Sequence, residues 1–381
     1  MNITAGKTTP FQAVPLHRHQ SSLEEILDFS STVPLGAEQR GQARRKFYRI
    51  VQHFEAESTQ TSKTKTAGKR GTRYNQPLLI RLTYENARSE ESQDVFLRAF
   101  FRSMALSLDG EDLKSDLDLD FGNEAVEADL RSSLIGFAEY LIDNFFLPLK
   151  ASTKKTPQPS PAYHSAVMKA QGIGLPQGLV GTPERLSALR GACLCARSTP
   201  LSATRYDNHG QDARDDDGRL LVDEVDQFDV LEVAHIMPHA LTKAKRDSEL
   251  NSTREAALAI LNMFDMGVVH LIDGGEIDRP RNALTLTTYL HRFFGNFDVY
   301  LPITRTLHLA ETNTIDPPSP RLLAVHSAIA RILHFSAAGA YIDRILRDAE
   351  EYGIKADGST ELGRLVNLGL GGWVDGVGVR P

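Results

Sequence analysis

Two cysteines in 381 residues, Cys193 and Cys195, leave no basis for a disulfide framework. Thiols one residue apart rarely pair with each other, and two of them cannot complete a zinc site. A reducing, intracellular setting follows as the expectation, nucleus or cytoplasm, with no secretion. Long apolar runs are missing too: nothing approaches the ~18 residues of a membrane-spanning helix. The start MNITAGKTTPFQAVPLHRHQ lacks the apolar stretch of a secretory signal. No membrane partner is therefore expected. Nor is there an excess of positive charge, since 43 Lys and Arg face 49 Asp and Glu, for a net charge of -6. That argues against a protein that coats nucleic acid, which needs a concentration of cations. A hydrophobic content of 41% with 24% charged residues is ordinary for a folded chain. At roughly 150 residues per domain the length suggests about two or three.

What is present is mostly helical patterning. Ser22 and Glu25 stand at capping-box distance before Ile26 and Leu27. Phe47, Ile50, Val51 and Phe54 recur three and four apart and predict a helix over 38–54. Further helices are predicted at 92–108 and 125–146, with a solvated acidic connection between them. The polar stretch from Ser58 to Pro77 holds Lys63, Lys65, Lys69, Arg70 and Arg73 without an acid. Two readings stay open for it: a solvated loop, or a loop that touches DNA phosphates. The segment 151–182 is rich in Pro, Gly, Ser and Lys and marks the clearest boundary. Beyond it come a helix at 183–195, an acidic loop at 207–226, the strand-like run FDVLEVAHIMP and a helix at 252–266. A helical pair, 320–334 and 337–351, precedes a Gly-rich tail. The domains expected are a helical 1–150, the linker 151–182, a third region 183–310 and a C-terminal extension 311–381.

Chemistry concentrates in one place. In LEVAHIMPHAL an apolar strand runs into His235, and Pro238 ends it; Asn282 and His291 follow in IDRPRNALTLTTYLHRFF. Hydrolysing a phosphodiester needs a water deprotonated in place and a divalent cation to stabilise the charge that builds. A neutral imidazole at a strand end can take the proton. A second imidazole on a helix can hold the metal and leave positions open for phosphate. A side-chain amide between them can orient the loop or the base.

The order His…Asn…His, with A-H-I-x-P and P-x-N-x-L-x-L-x-x-x-x-H-x-x-F around it, resembles the HNH, or ββα-metal, nuclease family. It is most similar to an HNH group of fungal multidomain proteins, tightest over about residues 228–302. The resemblance implies an α+β fold, with a small ββα-metal core embedded in helical flanks. It assigns His235 as general base, Asn282 as orienting residue and His291 as metal ligand, with Mg, Mn, Ni or Zn as the cation and DNA as the partner. It also exposes departures. Ala234 stands where better-equipped members carry an acid or His, and Gly295 stands where they carry a second ligand on the helix. His239, which can turn back past Pro238, is the preferred substitute ligand. Glu232 lies three residues before His235, so strand alternation points it to the opposite face. Two functions follow from different classes: a metal-dependent DNA endonuclease, or a catalytically silent HNH scaffold that serves as a binding module.

Overall fold

The computed structural model describes residues 34–64, 74–108, 113, 119–153, 189, 193, 231–242, 252–300, 316–351, 361–370 and 373. The helix at Ser22, the 154–182 segment, the acidic loop 207–226 and Cys195 lie outside these residues.

The N-terminal part is built from helices that start where side chains can cap them. Helix α1, Ala37–Thr64, buries Phe47, Ile50, Val51 and Phe54 along one stripe. It runs past Ser58, so the front of the basic stretch is helical rather than loop. The sequence reading missed α2, Gln76–Glu85, where the Asn75 side chain accepts from the Leu78 amide at 3.0 Å and proline occupies the first turn. Helix α3, Glu90–Ser103, is capped by Ser89 with Glu90 and Glu91 in its first turn, where the helix dipole favours acids. Helix α4, Glu124–Leu141, starts at the Asn123 cap and passes into a π-helical turn, Ile142–Phe146, before α5, Leu147–Thr153. The wider turn lets the adjacent Phe145 and Phe146 both reach the core, 1% and 0% exposed.

The remaining elements are strand β1, Leu231–His235; α6, Ser252–Asn262; β2, Ala283–Thr287; α7, Thr288–Gly295; α8, Pro320–Phe335; α9, Ala338–Glu351; and α10, Leu362–Leu370. The described residues are thus mostly helical, with one two-stranded antiparallel sheet. The expected helix 252–266 ends at Asn262, after which one-turn 3-10 segments carry the chain to β2.

One buried cluster runs from Leu35 to Trp373 and draws on both sides of the 154–188 segment. Phe264, after α6, stacks on Phe145 at 5.5 Å and meets Phe146 edge-on at 6.4 Å. Among the described residues no single helix is long and apolar enough to cross a membrane. The pair α8 and α9 passes on composition only together, bent by 82°, and most of its apolar residues lie in the core, Phe335 being exposed.

Candidate active site

In the sheet, His235 faces Ala283 and Glu232 faces Leu286. Residues opposite one another in an antiparallel pair share a face, and neighbours along a strand alternate. One face therefore carries Val233, His235, Ala283 and Thr285; the other carries Glu232, Ala234, Leu284 and Leu286. The second belongs to the main core, with Ala234 0% exposed, and α7 packs on it. The first is covered by Leu189 and Cys193.

His235 ends β1 with its Nε2 at 3.2 Å from Oδ1 of Asp278, the side chains being 5% and 0% exposed. A carboxylate there accepts, so in the neutral ring Nε2 is the nitrogen that carries the proton and Nδ1 the one with the lone pair. Nδ1 is buried and has no hydrogen-bond partner among the described residues. The His239 ring lies 6.0 Å from that of His235.

Asn282 is fully buried. Its Oδ1 accepts from the Met237 amide at 2.9 Å, and Nδ2 donates to the carbonyls of Met237 at 2.9 Å and Ile277 at 2.8 Å. Its own carbonyl accepts from the Ile236 amide at 2.8 Å. Of the two uses open to it, loop or base, these hydrogen bonds go to the loop. They tie the residues just after His235 to the turn that delivers Asp278.

His291 lies on α7, which the Thr287 hydroxyl caps by accepting from the Leu290 amide at 3.3 Å. Its Nδ1 donates to Oε2 of Glu232 at 2.7 Å, with the two side chains 14% and 19% exposed. Each histidine thus has its own carboxylate rather than the other histidine for a partner. The alternation argument set Glu232 against His235; the neighbour that matters is His291. The signal was present in ALTLT, whose Leu284 and Leu286 mark the core face where Glu232 also lies.

Two carboxylates, Glu232 and Asp278, therefore join the site beyond the sequence candidates. As metal donors, His291 and Glu232 supply one nitrogen and one carboxylate on the same face. That falls short of the four protein ligands of a structural zinc site. One imidazole and one carboxylate suit an open site for a cation such as Ni²⁺ or Zn²⁺, with its remaining positions left to water or a ligand. Burial pushes the Cys193 thiol up to about 12, which removes it as a thiolate donor.

A second group offers metal-ligand spacing, His53, Glu57 and Glu127, with donor atoms within 4.8 Å of one another. Nη2 of Arg131 sits 2.6 Å from a carboxylate oxygen of both Glu57 and Glu127. A guanidinium already occupies the cation's place, and the group is an ion-pair network. The Lys63 backbone belongs to α1, while Lys65, Lys69, Arg70 and Arg73 lie outside the described residues.

Residues 204–301 match the HNH endonuclease family, a stretch that contains both strands, α7 and both histidine–carboxylate pairs. No curated protein and no solved structure matches the chain.

Proposed function

We propose that the chain is a metal-dependent endonuclease that hydrolyses DNA phosphodiester bonds, with β1, β2 and α7 as its ββα-metal core. The observation that carries this reading is the His235–Asp278 pair. A buried carboxylate on Nε2 fixes the tautomer and leaves Nδ1 as the nitrogen able to accept a proton from water. Asn282 keeps that pair in register through the loop. His291 and Glu232 are the residues that would hold a divalent cation, on the sheet face opposite the one from which His235 ends β1, while His239 is a further imidazole beside the base. When bound, such a cation supplies charge stabilisation at the phosphate.

The silent-scaffold reading has its own support. His235 is 5% exposed, whereas a general base must meet water. Cleavage of supercoiled plasmid with Mg²⁺, Mn²⁺, Ni²⁺ or Zn²⁺ separates the two. The proposal expects nicking that chelator abolishes and that His235→Gln, which can keep a hydrogen bond to Asp278, slows ~10²–10⁴-fold. No cleavage with any metal, or equal cleavage by the variant, gives the site to the scaffold.

A further inference from the structure

Helix α1 carries five cations in the ten positions from Arg40 to Arg49, with no acid among them. Arg40 is taken by Asp94 and Glu90, and Lys46 is 5% exposed. Arg44, Arg45 and Arg49 are exposed and line a wide, open cleft of about 780 Å³ together with Tyr48, Gln52 and Phe121. His53 lines it as well. Among the described residues no carboxylate lines the cleft; the nearby Glu57 and Glu127 are held by Arg131 and His53, and Glu85, which accepts from the Tyr48 hydroxyl at 3.3 Å, is held by Arg81.

The rings in this cleft are already covered. The Arg44 guanidinium lies 5.7 Å from the centre of Tyr48, and that of Arg49 lies 5.9 Å from the centre of Phe121. His53 stacks on Phe121 at 4.0 Å and 16°. The aromatic faces therefore hold guanidiniums in place, and are not offered to bases. Planar guanidiniums so held present fork-shaped donors that suit phosphate oxygens. Arg45 and Arg49 stand one helical turn apart, a rise of ~6 Å along α1. Three arginines, two of them held on rings, in a cleft lined by no acid suit a phosphate backbone better than base edges.

We propose that this cleft is a DNA-backbone contact outside the 204–301 stretch, binding duplex phosphates without regard to sequence. The choice of DNA as the phosphate source rests on the nuclease reading above. The sequence runs on from α1 into Lys65, Lys69, Arg70 and Arg73, so positive charge continues along the chain beyond it.

The test is fluorescence anisotropy of the full chain with a short labelled duplex, in chelator, across a salt series. The triple variant Arg44→Gln/Arg45→Gln/Arg49→Gln changes only exposed side chains, and its fold is checked by circular dichroism and melting temperature. Removing one phosphate interaction lowers the slope of log K against log salt by about 0.9. The expected result is weaker binding with a slope reduced by about two to three units. The matching Lys triple variant keeps most of the slope, because charge is retained. Equal affinity and equal slope for the Gln variant overturn the inference. So does binding to phosphatidylserine vesicles that the Gln variant loses while duplex binding is absent or unchanged. Plasmid cleavage by the wild type is measured separately. Cleft-dependent DNA binding without cleavage sinks only the nuclease reading; cleavage with an unchanged salt slope sinks only this inference.

Discussion

Nε2 of His326 donates to the carbonyl oxygen of Phe294 at 2.9 Å, while the same imidazole lies flat on the Phe294 ring at 3.9 Å. Phe297 also stacks against it, at 4.5 Å. The C-terminal end of α7, the helix that presents His291, is thereby clamped to α8.

That clamp makes stability depend on pH. Burial lowers the His326 pKa from 6.5 to about 4, only partly opposed by its hydrogen bond to the Phe294 carbonyl. Below 6.5 the unfolded chain takes up a proton that the folded chain refuses. Stability attributable to His326 therefore falls as pH drops from 6.5 towards 4 and levels off below that. The loss approaches about 3 kcal/mol at about 1.4 kcal/mol per unit. Urea melts of wild type and His326→Gln over pH 4–7 check it: the wild-type curve should be the steeper, and parallel curves would refute the assignment.

Asn282→Ala leaves the amide of Met237 and the carbonyls of Met237 and Ile277 buried and unpaired. At about 1–3 kcal/mol for each group, the variant should lose several kcal/mol and melt well below wild type. Asn282→Asp should fare no better, because it sets carboxylate oxygens against two carbonyls. A melting temperature close to wild type for either would mean that Asn282 is not the brace its contacts describe.

Glu232 and His291 should fail together as cation donors. Titration calorimetry with Mn²⁺ should give weak binding in the wild type and loss of that heat in both His291→Ala and Glu232→Gln. If Glu232→Gln binds as the wild type does while His239→Ala does not, the second ligand is His239, and the carboxylate only orients His291.

Ala337, between α8 and α9, sits at φ 61 and donates its amide to the His334 carbonyl at 3.2 Å, the left-handed end that glycine accepts without strain. Ala337→Gly should raise stability by about 0.5–1 kcal/mol, the relieved left-handed strain less the cost of glycine's extra freedom in the unfolded chain. The exposed Ala340→Gly, inside α9, should lower it by about 1 kcal/mol. Differential scanning calorimetry of the two variants should show opposite shifts.

Legibility followed sequence separation. Helices α8 and α9 came within a residue of their observed ends because local periodicity carries them, and β1 was found from its apolar run into His235. Helix α2 hid because its Asn75 cap and Pro77 sit at the end of a basic stretch whose composition reads as loop. Asp278 and Glu232 could not be paired with their histidines from local pattern. Asp278 lies 43 residues from His235 and Glu232 59 from His291. Which carboxylate meets which ring is decided by strand register and by the path of the 3-10 turns. Cys193, one of two thiols too few for a zinc site, is buried against Ala283.

The packing of Phe264 against Phe145 and Phe146 joins the matched stretch to the N-terminal helices. Phe264 lies inside the stretch that matches the HNH family, while its two aromatic partners come from the π-helical turn before residue 150. A gene fragment encoding only the matched stretch would express a polypeptide with that aromatic wall torn open. The matched stretch and the N-terminal helices share one aromatic wall, so neither buries its rings without the other.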